Sequence, residues 1–89
     1  MRIPLSKIEP DLDSGIRGVL QSIRRHDDPL TPQTAARLTK LSLRRINQLC
    51  SEGTLEFICL PSRRIYKKSL MQYFLKKHGL DHIDVDLVN

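Results

Sequence analysis

Apolar residues recur at helical spacing in four segments of the chain, and two short β-like runs lie between the third and fourth. The first segment, Gly15–His26, is predicted to be an amphipathic helix because its apolar residues fall three, four and seven positions apart. Asp13 or Ser14 is suited to cap its start, and Asp27-Asp28-Pro29 ends it because the residue before a proline disfavours helical geometry. The apolar face consists of Ile16, Val19, Leu20 and Ile23.

The next two segments predict a pair of short helices separated by about three residues. Thr31, which is followed by proline, is suited to cap a helix that ends near Thr39. Ser42 is placed to cap a further helix over Leu43–Ser51, and Gly53 can supply the left-handed conformation after its end. The predicted inward positions are Ala35, Ala36, Leu38, Ile46, Leu49 and Cys50. This spacing is typical of a helix-turn-helix.

A β-hairpin and a last helix are predicted to follow. The runs Leu55–Leu60 and Arg63–Tyr66 flank the turn signal Pro61-Ser62, as the strands of a hairpin do. The helix Lys68–His78 places Leu70, Tyr73 and Phe74 on one side, and it stops at Gly79. The pattern as a whole predicts a mainly α fold with a small β-hairpin, preceded by the amphipathic helix.

Both ends of the chain lack helical periodicity. Met1–Leu12 contains two prolines and is predicted to be an extended arm or an unfolded leader. Apolar and acidic residues alternate from Ile83 to Leu87, which favours an edge strand or arm as much as a frayed terminus. We therefore expect an arm and helix over 1–29, a domain over 30–79 that contains the helix-turn-helix and the hairpin, and an acidic tail over 80–89.

Positive charge is concentrated in the middle of the chain. Lysine and arginine together number 5 in residues 1–30, 10 in residues 31–79 and 0 in residues 80–89. Aspartate and glutamate together number 5, 2 and 3 in the same ranges. A field of this kind favours a polyanionic partner, either nucleic acid or an anionic surface, although a merely soluble basic surface also accounts for it.

The remaining composition points away from enzymes, metal proteins and membrane proteins. No apolar run reaches membrane-spanning length and the N-terminus does not resemble a signal peptide, so we expect a cytoplasmic, nucleoid-associated protein with no membrane partner. Cys50 and Cys59 are interpreted as small core residues. We expect no metal site, because the histidines and the C-terminal aspartates lack ligand spacing: His26, His78, His82, Asp81, Asp84 and Asp86. No catalytic motif is found, so no enzyme and no cofactor are expected.

The outer face of the helix Leu43–Ser51 carries side chains suited to reading DNA bases. Arg44 can donate a bidentate pair to guanine, and Asn47 or Gln48 can match the donor and acceptor edge of adenine. An ordinary polar solvent face is the alternative. The predicted base-contacting set is Ser42, Leu43, Arg44, Arg45, Asn47 and Gln48.

A second predicted group would contact phosphates. Arg63 and Arg64 lie beside the predicted turn and suit phosphates or a narrow minor groove, unless they only protect a strand edge. Lys67 and Lys68 lie at the start of the last helix, where positive charge opposes the helix dipole, and this hints at an anionic partner.

The segment Leu30–Phe74 resembles the excisionase and MerR-like group of winged helix-turn-helix domains. The resemblance lies in the small residues Ala35-Ala36, in Ser-x-Arg-Arg-Ile at 42–46, in Glu-Gly at 52–53 and in the Arg pair before Ile65. It implies a recognition helix over 43–51 and a wing over 55–66. Members of the group commonly have glycine where this chain has Lys40, an aromatic residue at the position of Asn47, and glycine in the wing turn.

These observations together predict a sequence-specific double-stranded-DNA-binding protein, acting as a small transcriptional regulator or repressor of a phage or mobile element. An excisionase with an integrase partner, a phage DNA-packaging recognition subunit, and an adaptor that binds an acidic protein are the alternatives. A single recognition helix touches few base pairs, so a homodimer or a cooperative assembly is expected. The helix 15–26 is equally suited to that contact and to covering the core.

Overall fold

The computed structural model describes residues 3–59 and 61–85 and consists mainly of helices. Its elements, in chain order, are β1 (Ile3–Pro4), α1 (Leu5–Ile8), a 3₁₀ turn (Glu9–Asp11), α2 (Ser14–Arg25), α3 (Pro32–Thr39), α4 (Leu43–Ser51), β2 (Phe57–Cys59), β3 (Arg63–Ile65), α5 (Lys67–Lys77) and β4 (Ile83–Asp84). The predicted mainly helical fold with a small antiparallel hairpin is confirmed.

Polar side chains start the three helices α2, α3 and α4 at the predicted positions. Asp13, rather than Ser14, caps α2, since its Oδ2 accepts from the backbone N–H of Gly15 at 3.0 Å. Thr31 Oγ1 accepts from the N–H of Thr34 at 3.1 Å. Ser42 Oγ accepts from the N–H of Arg45 at 3.0 Å. Each bond satisfies a donor that the first helical turn leaves without a partner.

A three-residue turn joins α3 to α4, and Lys40 adopts the left-handed conformation within it. Its φ is 61° and its ψ is 25°. The backbone N–H of Leu41 donates to the carbonyl of Ala36 at 3.1 Å, which closes the end of α3. A side chain therefore occupies a conformation that glycine adopts at lower cost. The buried side chain of Thr39 donates back to the carbonyl of Ala35 at 2.7 Å.

The hairpin β2–β3 is fixed at its base to the start of α3. Ile65 pairs with Phe57 across the hairpin, and it also exchanges two backbone hydrogen bonds with Leu30, at 2.7 and 2.6 Å. Directly opposed residues of an antiparallel pair share a face. The inner face thus carries Phe57, Cys59, Arg63 and the buried Ile65, and the outer face carries Ile58 and Arg64.

The predicted strands and last helix differ from the observed ones by a few residues. The strands are shorter, over Phe57–Cys59 and Arg63–Ile65, and Leu60 lies outside the described residues. Tyr66 was predicted to end a strand, but it stands at the N-cap position of α5. The helix therefore begins at Lys67 and ends at Lys77.

The prediction of an extended or unfolded N-terminal arm is wrong for the residues described from Ile3 onward. The strand β1 pairs in parallel with β4, with Ile3 opposite Ile83, and α1 follows at once. Leu5 is completely buried. Glu9 and Arg24 form an ion pair with two hydrogen bonds, which holds the 3₁₀ turn against α2. Proline spacing gave no sign of this packing, because the contacts are made to residues far along the chain.

The alternation at the C-terminus does mark a strand, β4, over Ile83–Asp84. Ile83 and Val85 are buried, and Asp84 between them is exposed. Residues 86–89, with the rest of the predicted alternation, lie outside the described residues, as do residues 1 and 2.

One hydrophobic core joins the segments that were predicted as arm, DNA-binding domain and tail. The largest fully buried side chains come from all of them: Leu5, Leu20, Ile23, Ile46, Leu49, Leu55, Ile65, Leu70, Met71, Leu75, Ile83 and Val85. The helix α2 packs its buried face on α3 and α5, so it covers the core. None of the described helices is both long enough and apolar enough to cross a membrane.

The two cysteines differ in burial, which corrects their interpretation as a pair of core residues. Cys50 is buried in α4, whereas Cys59 is exposed at the end of β2. Burial raises the pKa of the Cys50 thiol, and the positive charge of Arg63 counteracts part of that rise.

Candidate functional site

The outer face of α4 is defined here as Leu43, Arg44, Gln48 and Ser51. All four side chains are exposed, and Leu43, at 41%, is one of the few large apolar side chains of the described chain that reach solvent. The buried residues Ile46, Leu49 and Cys50 set this orientation, because they hold the opposite side of the helix in the core. Arg44 and Gln48 make no side-chain hydrogen bond to any described residue. Their donors and acceptors are therefore available to a ligand.

Asn47 lies on the same side of α4 as these residues, as the sequence predicted, but it is less exposed than they are. It is half-buried, and its Oδ1 accepts a hydrogen bond from Nη1 of Arg63 at 3.0 Å. The same nitrogen lies 3.5 Å from the backbone carbonyl oxygen of Asn47. Sequence reasoning missed this pair, because the partners are separated by 16 positions and belong to different elements.

Arg63 and Arg64 project from opposite faces of the hairpin. Arg63 is on the inner face, where its guanidinium carbon lies 4.7 Å from the centre of the Phe57 ring. This distance is within the range of a cation–π interaction. Arg64 is on the outer face, opposite Ile58, and its side chain makes no hydrogen bond or ion pair within the described part of the chain. The two predicted phosphate contacts are thus not equivalent.

Lys67 and Lys68 also differ. Lys67 is half-buried and donates from Nζ to the carbonyl of Arg24 at 2.5 Å, which ties α5 to the end of α2. Its backbone N–H donates to Oδ1 of Asp28 at 2.9 Å. The carboxylate of Asp28 offsets the unfavourable positive charge at the start of α5, so this charge needs no external anion. Lys68 is exposed.

Two further exposed cations lie on α3 and in the turn before α4, and they were not among the predicted site residues. Lys40 is exposed in the turn directly before α4, and Arg37 is exposed on α3, which packs against α4. Arg45 is half-buried on α4 itself. The sequence could have indicated Lys40 and Arg37 through their positions in and before the turn between the two helices. Together with Arg44 they give this end of α4 a strongly positive environment.

An open groove of about 800 Å³ lies along α5, apart from the outer face of α4. Tyr66, Ser69 and Tyr73 line it on the helix, and Gly53 and Glu56 line it on the loop before β2. The backbone N–H of Glu56 donates to Oγ of Ser69 at 2.8 Å. The lining of the groove includes two acidic and two basic side chains, so the groove has no single sign of charge.

The described residues contain no cluster of three or more histidine, cysteine, aspartate or glutamate side chains able to hold a metal ion. Comparison of the chain with protein-family models, curated proteins and solved structures finds no significant match. The candidate site is therefore defined by the geometry and charge of its own residues.

Proposed function

We propose that this chain is a winged helix-turn-helix protein that binds double-stranded DNA. In this proposal α4 lies in the major groove, and the hairpin β2–β3 lies against the adjacent backbone. The observation that carries it is the outer face of α4, whose exposed Arg44 and Gln48 have no intramolecular hydrogen-bond partner among the described residues. The helix-turn-helix interpretation is supported by the three-residue turn between two packed helices and by the hairpin that follows.

The proposed division of labour follows from exposure. Arg44 donates to guanine, Gln48 matches adenine, and Leu43 contacts a thymine methyl group. The phosphate contacts are assigned to exposed or half-exposed cations on α3, in the turn before α4, on the hairpin and at the start of α5: Arg37, Lys40, Arg64 and Lys68. Phosphate contacts fix the position of the protein on the duplex, and base contacts select the sequence.

The biological role that we propose is transcriptional regulation in a phage or mobile element, by a homodimer or by cooperative copies. One α4 covers only a few base pairs, so useful affinity needs two half-sites about one helical turn apart. An excisionase or a DNA-packaging recognition subunit would use the same surface with a different protein partner. An adaptor would use the same cations to bind an acidic protein, and it would show no preference for any duplex sequence.

The test is selection of binding sites from a random duplex pool, followed by measurement of affinity and stoichiometry on the selected site at several salt concentrations. Four phosphate contacts per protomer give eight in a dimer, so log K should fall against log salt with a slope of about −7, from roughly −0.9 per phosphate. An unselected duplex of the same length is the control. The proposal fails if no duplex is enriched, or if affinity is nearly independent of salt.

A further inference from the structure

The amide oxygen of Asn47 is already engaged within the protein. Oδ1 accepts from Nη1 of Arg63 at 3.0 Å, and the backbone carbonyl of Asn47 faces the same nitrogen. The opposite orientation of the amide would bring its NH₂ donors against guanidinium donors, so the oxygen must face Arg63. Reading adenine requires both the oxygen and the nitrogen of an asparagine amide. Asn47 is therefore poorly suited to the base contact that its position in α4 suggests.

The side chain of Arg63 is likewise held on the inner face of the hairpin. Its guanidinium lies over the ring of Phe57 and points toward α4. The described hydrogen bonds between α4 and the strands of the hairpin are those that Arg63 donates to Asn47. The base of the hairpin is held separately, through the bonds between Leu30 and Ile65. Arg63 thus ties the end of the hairpin near Cys59 to the helix.

We propose that Asn47 and Arg63 form a positioning pair that sets the hairpin relative to α4 and thereby holds Arg64 at the DNA backbone. This inference rests on the proposed DNA-binding function. Arg64 follows Arg63 directly but projects from the opposite face, so fixing one side chain orients the other. Sequence reading then belongs to Arg44 and Gln48, and neither member of the pair contacts a base.

The proposal makes an uncharged residue responsible for part of the salt dependence. Asn47→Ala removes no charge, yet it should lower the magnitude of the slope of log K against log salt by up to about 1.8 for the dimer, because each protomer loses one phosphate contact of roughly 0.9. Arg64→Ala should lower it by the same amount, and Asn47→Ala combined with Arg64→Ala should lower it no further. Arg63→Lys should behave like Asn47→Ala, because lysine keeps the charge but lacks the planar fork that reaches the amide while lying over Phe57.

Gln48→Ala is the matched control, since Gln48 neighbours Asn47 on α4 but makes no contact with the hairpin through a hydrogen bond. It should change base preference and leave the salt slope unchanged. All affinities are measured on the selected duplex, well below the melting temperature of each variant, where circular dichroism shows that it is fully folded. A role confined to stability would leave affinity and slope unchanged under these conditions.

Three results would overturn the positioning pair. The first is an unchanged slope in Asn47→Ala: with altered base preference it would make Asn47 a base-reading residue, and with unchanged affinity it would confine the pair to stability. The second is wild-type affinity and slope in Arg63→Lys, which would make Arg63 a simple phosphate contact. The third is independent, additive slope losses in the Asn47 and Arg64 variants. These results leave DNA binding by the unmodified chain intact. If the unmodified chain binds no duplex at all, the proposed DNA-binding function itself fails, so the two failures are distinguishable.

Discussion

Arg63 and Asn47 join the hairpin to α4 through a hydrogen bond of 3.0 Å between Nη1 and Oδ1. The two residues lie 16 positions apart, and the same guanidinium lies over Phe57. A helix and a hairpin that are linked in this way present one surface instead of two independently moving parts. The link also separates two adjacent arginines into an inner residue, Arg63, and an outer residue, Arg64.

Arg44 and Arg64 should affect DNA binding in different ways. Arg44→Ala should cost roughly 1–3 kcal/mol on the selected site and relax its base preference, because the proposed bidentate contact to guanine would be lost. Arg64→Ala should weaken binding to every duplex by a similar factor. Competition binding with the selected site and with single-base variants of it measures both effects. Equal losses on all duplexes for both variants would reject this assignment.

Substitution of Lys67 should mainly affect stability, whereas substitution of Lys68 should mainly affect DNA binding. Lys67→Met should lower the free energy of unfolding by about 0.5–1.5 kcal/mol, because the hydrogen bond from Nζ to the carbonyl of Arg24 is lost. Lys68→Met should leave stability nearly unchanged and reduce the magnitude of the salt slope of the dimer by about 1.8, roughly 0.9 for each protomer. Urea unfolding and salt-dependent binding provide the two measurements. A larger stability loss in Lys68→Met than in Lys67→Met would contradict the observed contacts.

Replacing Lys40 should relieve the cost of its left-handed backbone. The φ of 61° is unfavourable for any side chain that has a Cβ atom. Lys40→Gly should therefore raise the free energy of unfolding by about 0.5–1 kcal/mol, whereas Lys40→Ala keeps the Cβ and should not. Both variants lose the same charge, so both should lose the same fraction of DNA affinity. Thermal or urea unfolding that ranks alanine above glycine would show that the turn is not strained.

The N-terminal segment should be required for stability. Leu5→Ala should lower the free energy of unfolding by about 2–5 kcal/mol, because the side chain is completely buried in the core. Ile3→Ala is the matched control, since Ile3 is 38% exposed and should cost much less. Urea unfolding followed by circular dichroism measures both. Similar small effects for the two variants would indicate that this segment is dispensable.

The two cysteines should react at very different rates. Iodoacetamide should modify the exposed Cys59 quickly and Cys50 slowly, since Cys50 is buried and burial raises the pKa of its thiol despite the opposing charge of Arg63. Mass spectrometry of timed samples measures the rates, and a denatured sample, in which both should react, is the control. Equal rates in the folded protein would contradict the burial of Cys50.

The same pKa shift determines the direction of a pH effect on stability. A pKa that is higher in the folded than in the unfolded chain stabilises the fold while the thiol is protonated. This contribution is complete below the pKa of the unfolded thiol and is lost as the pH rises through the folded value. Cys50→Ala should therefore reduce the loss of stability between neutral and alkaline pH, as measured by urea unfolding across that range.

The local sequence predicted the helical elements of the middle region with small errors. Caps at Thr31 and Ser42 act within three residues, so the sequence contains all the partners of these bonds. The bounds of α4 agree with the prediction at both ends. The start of α5 was missed by one residue, because Asp28 accepts from the N–H of Lys67 across 39 positions.

The candidate site was only partly predictable for the same reason. The alternation of apolar and polar residues along α4 determined that Arg44 and Gln48 face solvent, since the period of a helix orients its side chains. It could not show that Asn47 turns toward Arg63, because that bond depends on where the hairpin packs.

The sequence by itself determined the charge distribution, the caps and the periodic faces of the helices, because these depend on composition and on neighbours within a few positions. Tertiary structure alone decided which cationic side chains have no hydrogen-bond partner among the described residues and which are used within the fold: Arg64 and Lys68 against Arg63 and Lys67. It also brought Leu5 and Ile83 into one core. Such contacts depend on the relative placement of distant segments, and the burial of apolar surface sets that placement only when the whole chain packs.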